Sequence, residues 1–173
     1  MDQTIVGLMV HYRRFWCVKG EEVKVAYQKD RKFDYLWLIG EVKTGELEAY
    51  WTPCVNKGVS QNIINDISKK YENNHLIILM DRAGWHNIEN KPSNISFINF
   101  PPCSPELNSI ERLNQEVKKP VANKSYLKLE DKTAIIDCEL EKFFNFPEKV
   151  KSTISYPWLI SQIDKIYEFI YSK

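Results

Sequence analysis

An α/β domain with a mixed sheet, an antiparallel meander joined to parallel strands and flanked by helices, is the fold class this sequence predicts. Three observations predict it. Two β-rich stretches, "FDYLWLIGEV" and "ELEAYWTP", face each other across the turn signal Lys43-Thr44-Gly45. The run "HLIILM" (His75 to Met80) is short and wholly apolar, as a central strand buried on both faces is. Elsewhere the apolar period lengthens to three and four residues, which is helical. Strands first, then a helix between strands, then helices alone: that order belongs to a layered α/β domain.

The elements follow in chain order. Gln3 to Val10 is β-rich, and Arg13 to Val18 is expected to return as a second strand after a turn. The hairpin of Phe33 to Val42 comes next. "VSQNIINDISKKY" carries Val59, Ile63, Ile67 and Tyr71 at helical spacing, and Asn73-Asn74 ends it. The apolar strand stops at Asp81, and "NISFINF" (Asn94 to Phe100) is another short strand. Helices are predicted from Ser109 to Lys119, from Leu129 to Phe144 and from Pro157 to Tyr171. The last has Leu159, Ile163, Ile166 and Ile170 on one face.

Composition narrows the class. The chain has 173 residues, enough for one domain with a real core, and 43% of them are hydrophobic. No apolar run is long enough to span a membrane and no basic-then-apolar leader opens the chain, so a cytoplasmic protein is expected. Cys17, Cys54, Cys103 and Cys138 are scattered without a C-x-x-C, which argues against zinc and disulfides and for buried free thiols. With 24 basic and 23 acidic residues the net charge is +1, so any polyanion must be held by local patches.

The candidate chemistry is acidic. Asp81 follows a buried strand, so its carboxylate should emerge at the sheet rim, where α/β active sites gather. The stretch "FPPCSPELNSIERLNQEVKK" (Phe100 to Lys119) is a stiff proline elbow that launches a helix, with Asn108 as N-cap and Glu111 three residues later. Asp2 opens the first β-rich segment. If that segment lies beside the Asp81 strand, three carboxylates converge and need a cation between them. Oxygen-only ligands suit Mg²⁺ or Mn²⁺, and two such ions are the usual clamp for phosphoryl transfer. Each acid also has an ordinary reading. Glu111 completes an Asn-x-x-Glu capping box, Asp81 suits a strand-end turn, and Asp2 is near a terminus. His86 is a rim or surface histidine or a site residue, and Trp85 is expected to cap the core.

Together these segments resemble the DDE transposases, in particular the insertion-sequence and mariner-like branch. "FPPCSPELNSIERLNQEVKK" is similar to that group's Pro-Pro-Tyr-Ser-Pro-Asp/Glu-Leu-Asn-Pro-Ile-Glu hallmark. "LIILMDRAGWH" is similar to its apolar strand followed by Asp-x-Ala-x-x-His. "DQTIVGL", "RRFWCVKG" and "IGEVKTGELEAY" are weaker matches, and the likeness covers about residues 2 to 119. Asp81 and Glu111 are separated by 29 residues, 82 to 110. Gln3, Cys103, Ser109 and Asn114 depart from the family pattern, which has Glu, Tyr, Pro and an aromatic there.

The resemblance implies an RNase H-like catalytic domain over residues 1–173, with 121–173 as a helical C-terminal portion and without the helix-turn-helix DNA-binding region that such transposases carry upstream. It implies metal-dependent DNA strand cleavage and strand transfer by a catalytic, metal-binding triad of Asp2, Asp81 and Glu111. Asp2 and Asp81 would share one Mg²⁺ or Mn²⁺ ion, and Asp2 and Glu111 the second. Transposon-end and target DNA are the implied partners, and a homodimer is expected because two ends must be brought together. Arg13, Arg14, His86, Lys118, Lys119 and Lys124 are the candidate DNA contacts. The early start of the chain also permits another reading, an inactive transposase remnant that binds DNA or full-length transposase as a regulator.

Overall fold

The computed structural model describes residues 1–171, with side chains through residue 168. Strands β1 (Asp2–Gly7), β2 (Phe33–Gly40) and β3 (Leu47–Thr52) form an antiparallel meander in the order β1-β2-β3. Helix α1 (Lys57–Lys70) leads to β4 (Leu76–Met80), which pairs in parallel with β5 (Ile95–Asn99). Four helices follow: α2 (Ser109–Val117), α3 (Leu129–Asn145), α4 (Pro147–Ile154) and α5 (Pro157–Tyr171).

The two strand groups meet edge to edge. The Met1 nitrogen donates to Leu79 O at 2.9 Å, which brings the start of β1 beside the end of β4. The three-stranded antiparallel sheet β1-β2-β3 and the two-stranded parallel sheet β4-β5 together make the mix of strand pairings that the sequence predicts.

Alternation along the strands builds two cores. Leu36 and Leu38 point to one face and join Val6, Ile110, Leu113, Val117, Ile136, Leu140, Phe143, Val150 and Ile154 beneath α2, α3 and α4. Trp37, between them, points to the other face and joins Ile63, Ile64, Ile67, Ile78, Met80 and Ile95 beneath α1. Each fully buried side chain of this kind contributes about 2 kcal/mol. Helices thus cover both faces of the meander at β2, where Leu36, Trp37 and Leu38 are all fully buried.

Several expectations change. Arg13 to Val18 is not a strand; residues 8–32 contain no helix or strand and form a long arm. Side-chain bonds rather than a strand ladder hold the returning chain. Asn123 pins the first base of the arm, donating to Arg13 O (2.9 Å) and accepting from Arg13 N (2.8 Å). Gln28 and Tyr126 exchange two bonds at the second base. Helix α4 is an addition to the expected elements: Pro147 starts it at the first helical position, where a missing N–H costs nothing. All four cysteines are free and exposed rather than buried, since they sit in the arm, the turn after β3, the elbow and the outer side of α3. Trp85 does not cap the core; it is 37% exposed and stands with its edge toward His86. Ile170 lies outside the described side chains.

Candidate active site

The rim where β1 begins and β4 ends gathers the three acids. Asp2 pairs with Leu38 across the β1–β2 ladder, so its side chain shares the face that Leu38 turns toward α2. It is only 8% exposed. Oδ1 accepts from Gln3 N at 2.8 Å, and Oδ2 accepts from Asn114 Nδ2 at 3.2 Å. Burial drives its pKa up to about 6; the neighbouring charges of Asp81 and Glu111 add to the rise, and the Gln3 N–H opposes it.

Asp81 leaves β4 at the same rim and stays partly open to solvent. Its Oδ1 accepts from Ala83 N (3.0 Å) and from His86 Nδ1 (2.6 Å). The first bond is the strand-end turn of the ordinary reading; the second is more than a turn needs. His86 is 6% exposed, and its Nε2 lies 3.0 Å from the Gln3 Oε1. This ring, braced at 6.0 Å against Trp37, therefore ties the loop after β4 to β1. Of the residues offered as DNA contacts, His86 is thus the most deeply buried.

The elbow sets Glu111. Phe100 N donates to Met80 O, so the chain departs from β5 alongside the Asp81 position. The elbow is a turn rather than the extended path expected: Cys103 sits in the left-handed region at φ 56°, and Pro105 opens a short 3-10 helix, Pro105–Leu107, that leads into α2. Asn108 caps α2 by accepting from Ile110 N at 3.3 Å. The reciprocal half of a capping box is not needed, because the Asn108 N–H already donates to Pro105 O at 3.0 Å. Glu111 is therefore freed from a capping duty. Burial raises its pKa first, with Asp81 and then Glu106 adding negative charge.

Helix α2 presents a polar stripe to β1. Glu111, Asn114 and Lys118 recur at three and four residues, the spacing of one helical face. Asn114 reaches Asp2, and Lys118 Nζ donates to Thr4 Oγ1 at 2.6 Å. Sequence reasoning singled out Asn114 only as a departure and gave it no role. The signal that could have found it is this i, i+3, i+7 spacing from Glu111. Asn114 is also buried, and its Oδ1 has no hydrogen-bond partner.

The remaining basic candidates are placed apart from the acids. Arg13 donates to Gln115 O and stands 3.6 Å from Glu116, which Lys119 also approaches at 3.5 Å. Arg14 is exposed, and Lys124 donates to Pro120 O at 2.8 Å.

The donor set of the acids is carboxylate oxygen alone, which fits hard divalent ions. Among the described residues, no three of His, Cys, Asp and Glu close around a single point.

Comparison with known proteins gives the family and the fold. The family model for DDE superfamily endonucleases matches residues 1–133. No curated protein matches the chain. Among solved structures it is similar to the Mos1 strand transfer complex (TM-score 0.61, 14% identity, covering 88% of this chain and 49% of that one). It is also similar to the Mos1 mariner paired end complex with Mn (TM-score 0.59, 15% identity, 88% and 52%) and to a pre-cleavage Mos1 transpososome (TM-score 0.58, 13% identity, 90% and 55%). At these identities the likeness is one of fold, RNase H-like with a mixed sheet. The chain spans about half the length of the solved structures it matches.

Proposed function

This chain belongs to the DDE superfamily endonucleases, and from that premise we propose that it is a transposase catalytic domain that cuts DNA strands and transfers them, with Asp2, Asp81 and Glu111 as its catalytic carboxylates. The observation that carries the reading is the mutual electrostatic reach of three acids delivered by β1, by the end of β4 and by the elbow before α2. In the reading, Asp2 and Asp81 hold one Mg²⁺ or Mn²⁺ and Asp2 and Glu111 a second, supplying Lewis-acid activation first of water and then of a DNA 3′-hydroxyl.

The chain's own residues do the positioning. Gln3 N and Asn114 fix the Asp2 carboxylate, which serves both ion positions. His86 and Ala83 N both hold Asp81 through Oδ1. The proline elbow delivers Glu111 to the same rim. None of these side chains needs to become a nucleophile, so no covalent enzyme intermediate is formed.

DNA is the proposed partner, with Arg13, Arg14, Lys118, Lys119 and Lys124 as phosphate contacts and the inward-facing His86 acting through Asp81. A second copy of the chain is the other partner. The arm supports it, since Phe15, Trp16, Val18 and Tyr27 are exposed there in a way a lone soluble domain rarely tolerates. The domain is read as residues 1–173 with a helical portion from 121, acting in the cytoplasm; among the described residues no helix is long and apolar enough to cross a membrane.

The test is Mn²⁺ calorimetry together with nicking of a supercoiled plasmid. Wild type should bind the ion and nick, while Asp81→Asn and Glu111→Gln should each weaken binding and stop nicking. A folded wild type that neither binds Mn²⁺ nor nicks DNA would sink the reading.

A further inference from the structure

Beyond the acids, β1 borders a second polar site. A pocket of about 390 Å³ opens between β1, the end of the arm and the α2–α3 connection, and Lys118, Lys132, His11, Arg31 and Lys32 line it with Asp30 as the one acid. Lys132 is the unusual member. It lies in the first turns of α3 and is 2% exposed, a rare state for a lysine. Its Nζ donates to Gly7 O (2.5 Å) and Met9 O (3.1 Å), neutral acceptors that use two of its three hydrogens. Among the described residues no carboxylate stands within ion-pair distance of it. Lys118, also mostly withdrawn from water, makes its bond to a hydroxyl, and the charge it feels is that of Asp2.

Buried cations without a counter-ion are costly: burial pushes the Lys118 pKa down against the pull of Asp2, and burial with repulsion from neighbouring cations pushes those of Lys132 and His11 down. An anion in the pocket removes that penalty. The position suits one kind of anion. Thr4, which binds Lys118, is two residues from Asp2 and Gly7 is five, or ~7 and ~17 Å along a strand. The pocket therefore lies within a few nucleotide lengths of the acids.

We propose that the pocket over Lys132 and Lys118 is a phosphate subsite that holds one backbone phosphate of the DNA strand leading to the carboxylates. This rests on the transposase reading for the identity of the strand. The pocket's preference for phosphate rests on its own residues. Lys132, Lys118, His11 and Arg31 line it with positive and polar groups, and Val6, Val10 and Phe33 complete the lining.

The experiment is fluorescence anisotropy of a labelled single-stranded oligonucleotide with the full chain in EDTA, so no catalysis is involved, across a range of salt. Lys132→Met should lower affinity about ten-fold and reduce the salt slope by about one, the signature of one lost phosphate contact. Lys132→Arg should restore most of it. Arg31→Gln, an exposed position outside the core, should give the same direction of change if Lys132→Met fails to fold. Lys142→Met, on the outer side of α3, should change nothing. Wild-type affinity and slope in folded Lys132→Met, or in Arg31→Gln when Lys132→Met does not fold, overturns the subsite. Inorganic phosphate that raises the melting temperature of wild type but not of Lys132→Met, with oligonucleotide binding unaltered, shows a free-anion site and overturns the DNA assignment. Because nicking is read separately, an inactive protein that still shows the ten-fold loss keeps the subsite and loses only the catalytic reading.

Discussion

Asp2 carries a conflict that single substitutions can expose. Its folded pKa of about 6 lies above the ordinary 3.8, so the folded chain keeps a proton that the unfolded chain has already released. Stability of the metal-free protein is therefore full below about pH 4 and declines as pH rises through about 6. At pH 7 the burden is about 3 kcal/mol. Asp2→Asn in EDTA should raise the melting temperature at pH 7 and abolish most of that pH dependence, as read by thermal denaturation. Asn114 can turn its unpartnered Oδ1 toward the new amide, so the swap leaves no orphaned donor. A variant less stable than wild type at pH 7 would contradict the account. Asn114→Ala is expected to act differently. It removes a buried bond to Asp2, costing about 1 kcal/mol of stability, and should weaken Mn²⁺ binding several-fold by calorimetry. Unaltered Mn²⁺ affinity would leave Asn114 as packing alone.

Among the elements, the hairpin and the elbow place the site, and each has a sensitive position. Gly45 sits at φ 80° in the β2–β3 turn, and a Cβ there would overlap Pro147 O at the start of α4. Gly45→Val meets both strain and a backbone clash and should destabilise by more than about 2 kcal/mol in urea unfolding. Asn108→Ala loses the α2 cap and should cost about 1 kcal/mol. Because the same cap aims Glu111, this variant should also lower the nicking rate beyond what its stability explains, checked at a temperature where it remains folded. The elements were largely legible from local signals: the turn at Lys43 to Gly45, the apolar run of β4, the helical period of α1 and the proline elbow all encode themselves within about ten residues. The arm was not. Its apolar run Phe15 to Val18 reads as a strand, whereas distant side chains, Asn123 at Arg13 and the Gln28–Tyr126 pair, fix it without a ladder. The cysteines failed for a related reason: an average preference for burial says nothing of which surface a given helix or loop turns outward.

At the scale of the whole molecule, the arm and the shared rim point outward to partners. Trp16 is fully exposed and belongs to no core cluster, so Trp16→Ala should leave unfolding unchanged while shifting sedimentation from dimer toward monomer. Wild type that sediments as a monomer at all accessible concentrations would remove the second copy from the reading. The sequence by itself determined the α/β class and most of the strands and helices, because caps, turns and periodicity are short-range physics that neighbours in the chain express, and its resemblance to the DDE transposases singled out the three acids as candidates. Only the tertiary structure decided that residues 2, 81 and 111 bear on one another. That depends on Met1 meeting Leu79, on His86 reaching back to Gln3, and on α2 laying Asn114 against Asp2. The burial of Lys132 against Gly7 and Met9 was decided at the same level. Such contacts join residues 78 to 125 positions apart, and their free energy comes from packing two helical layers on one sheet, which no local stretch of sequence contains.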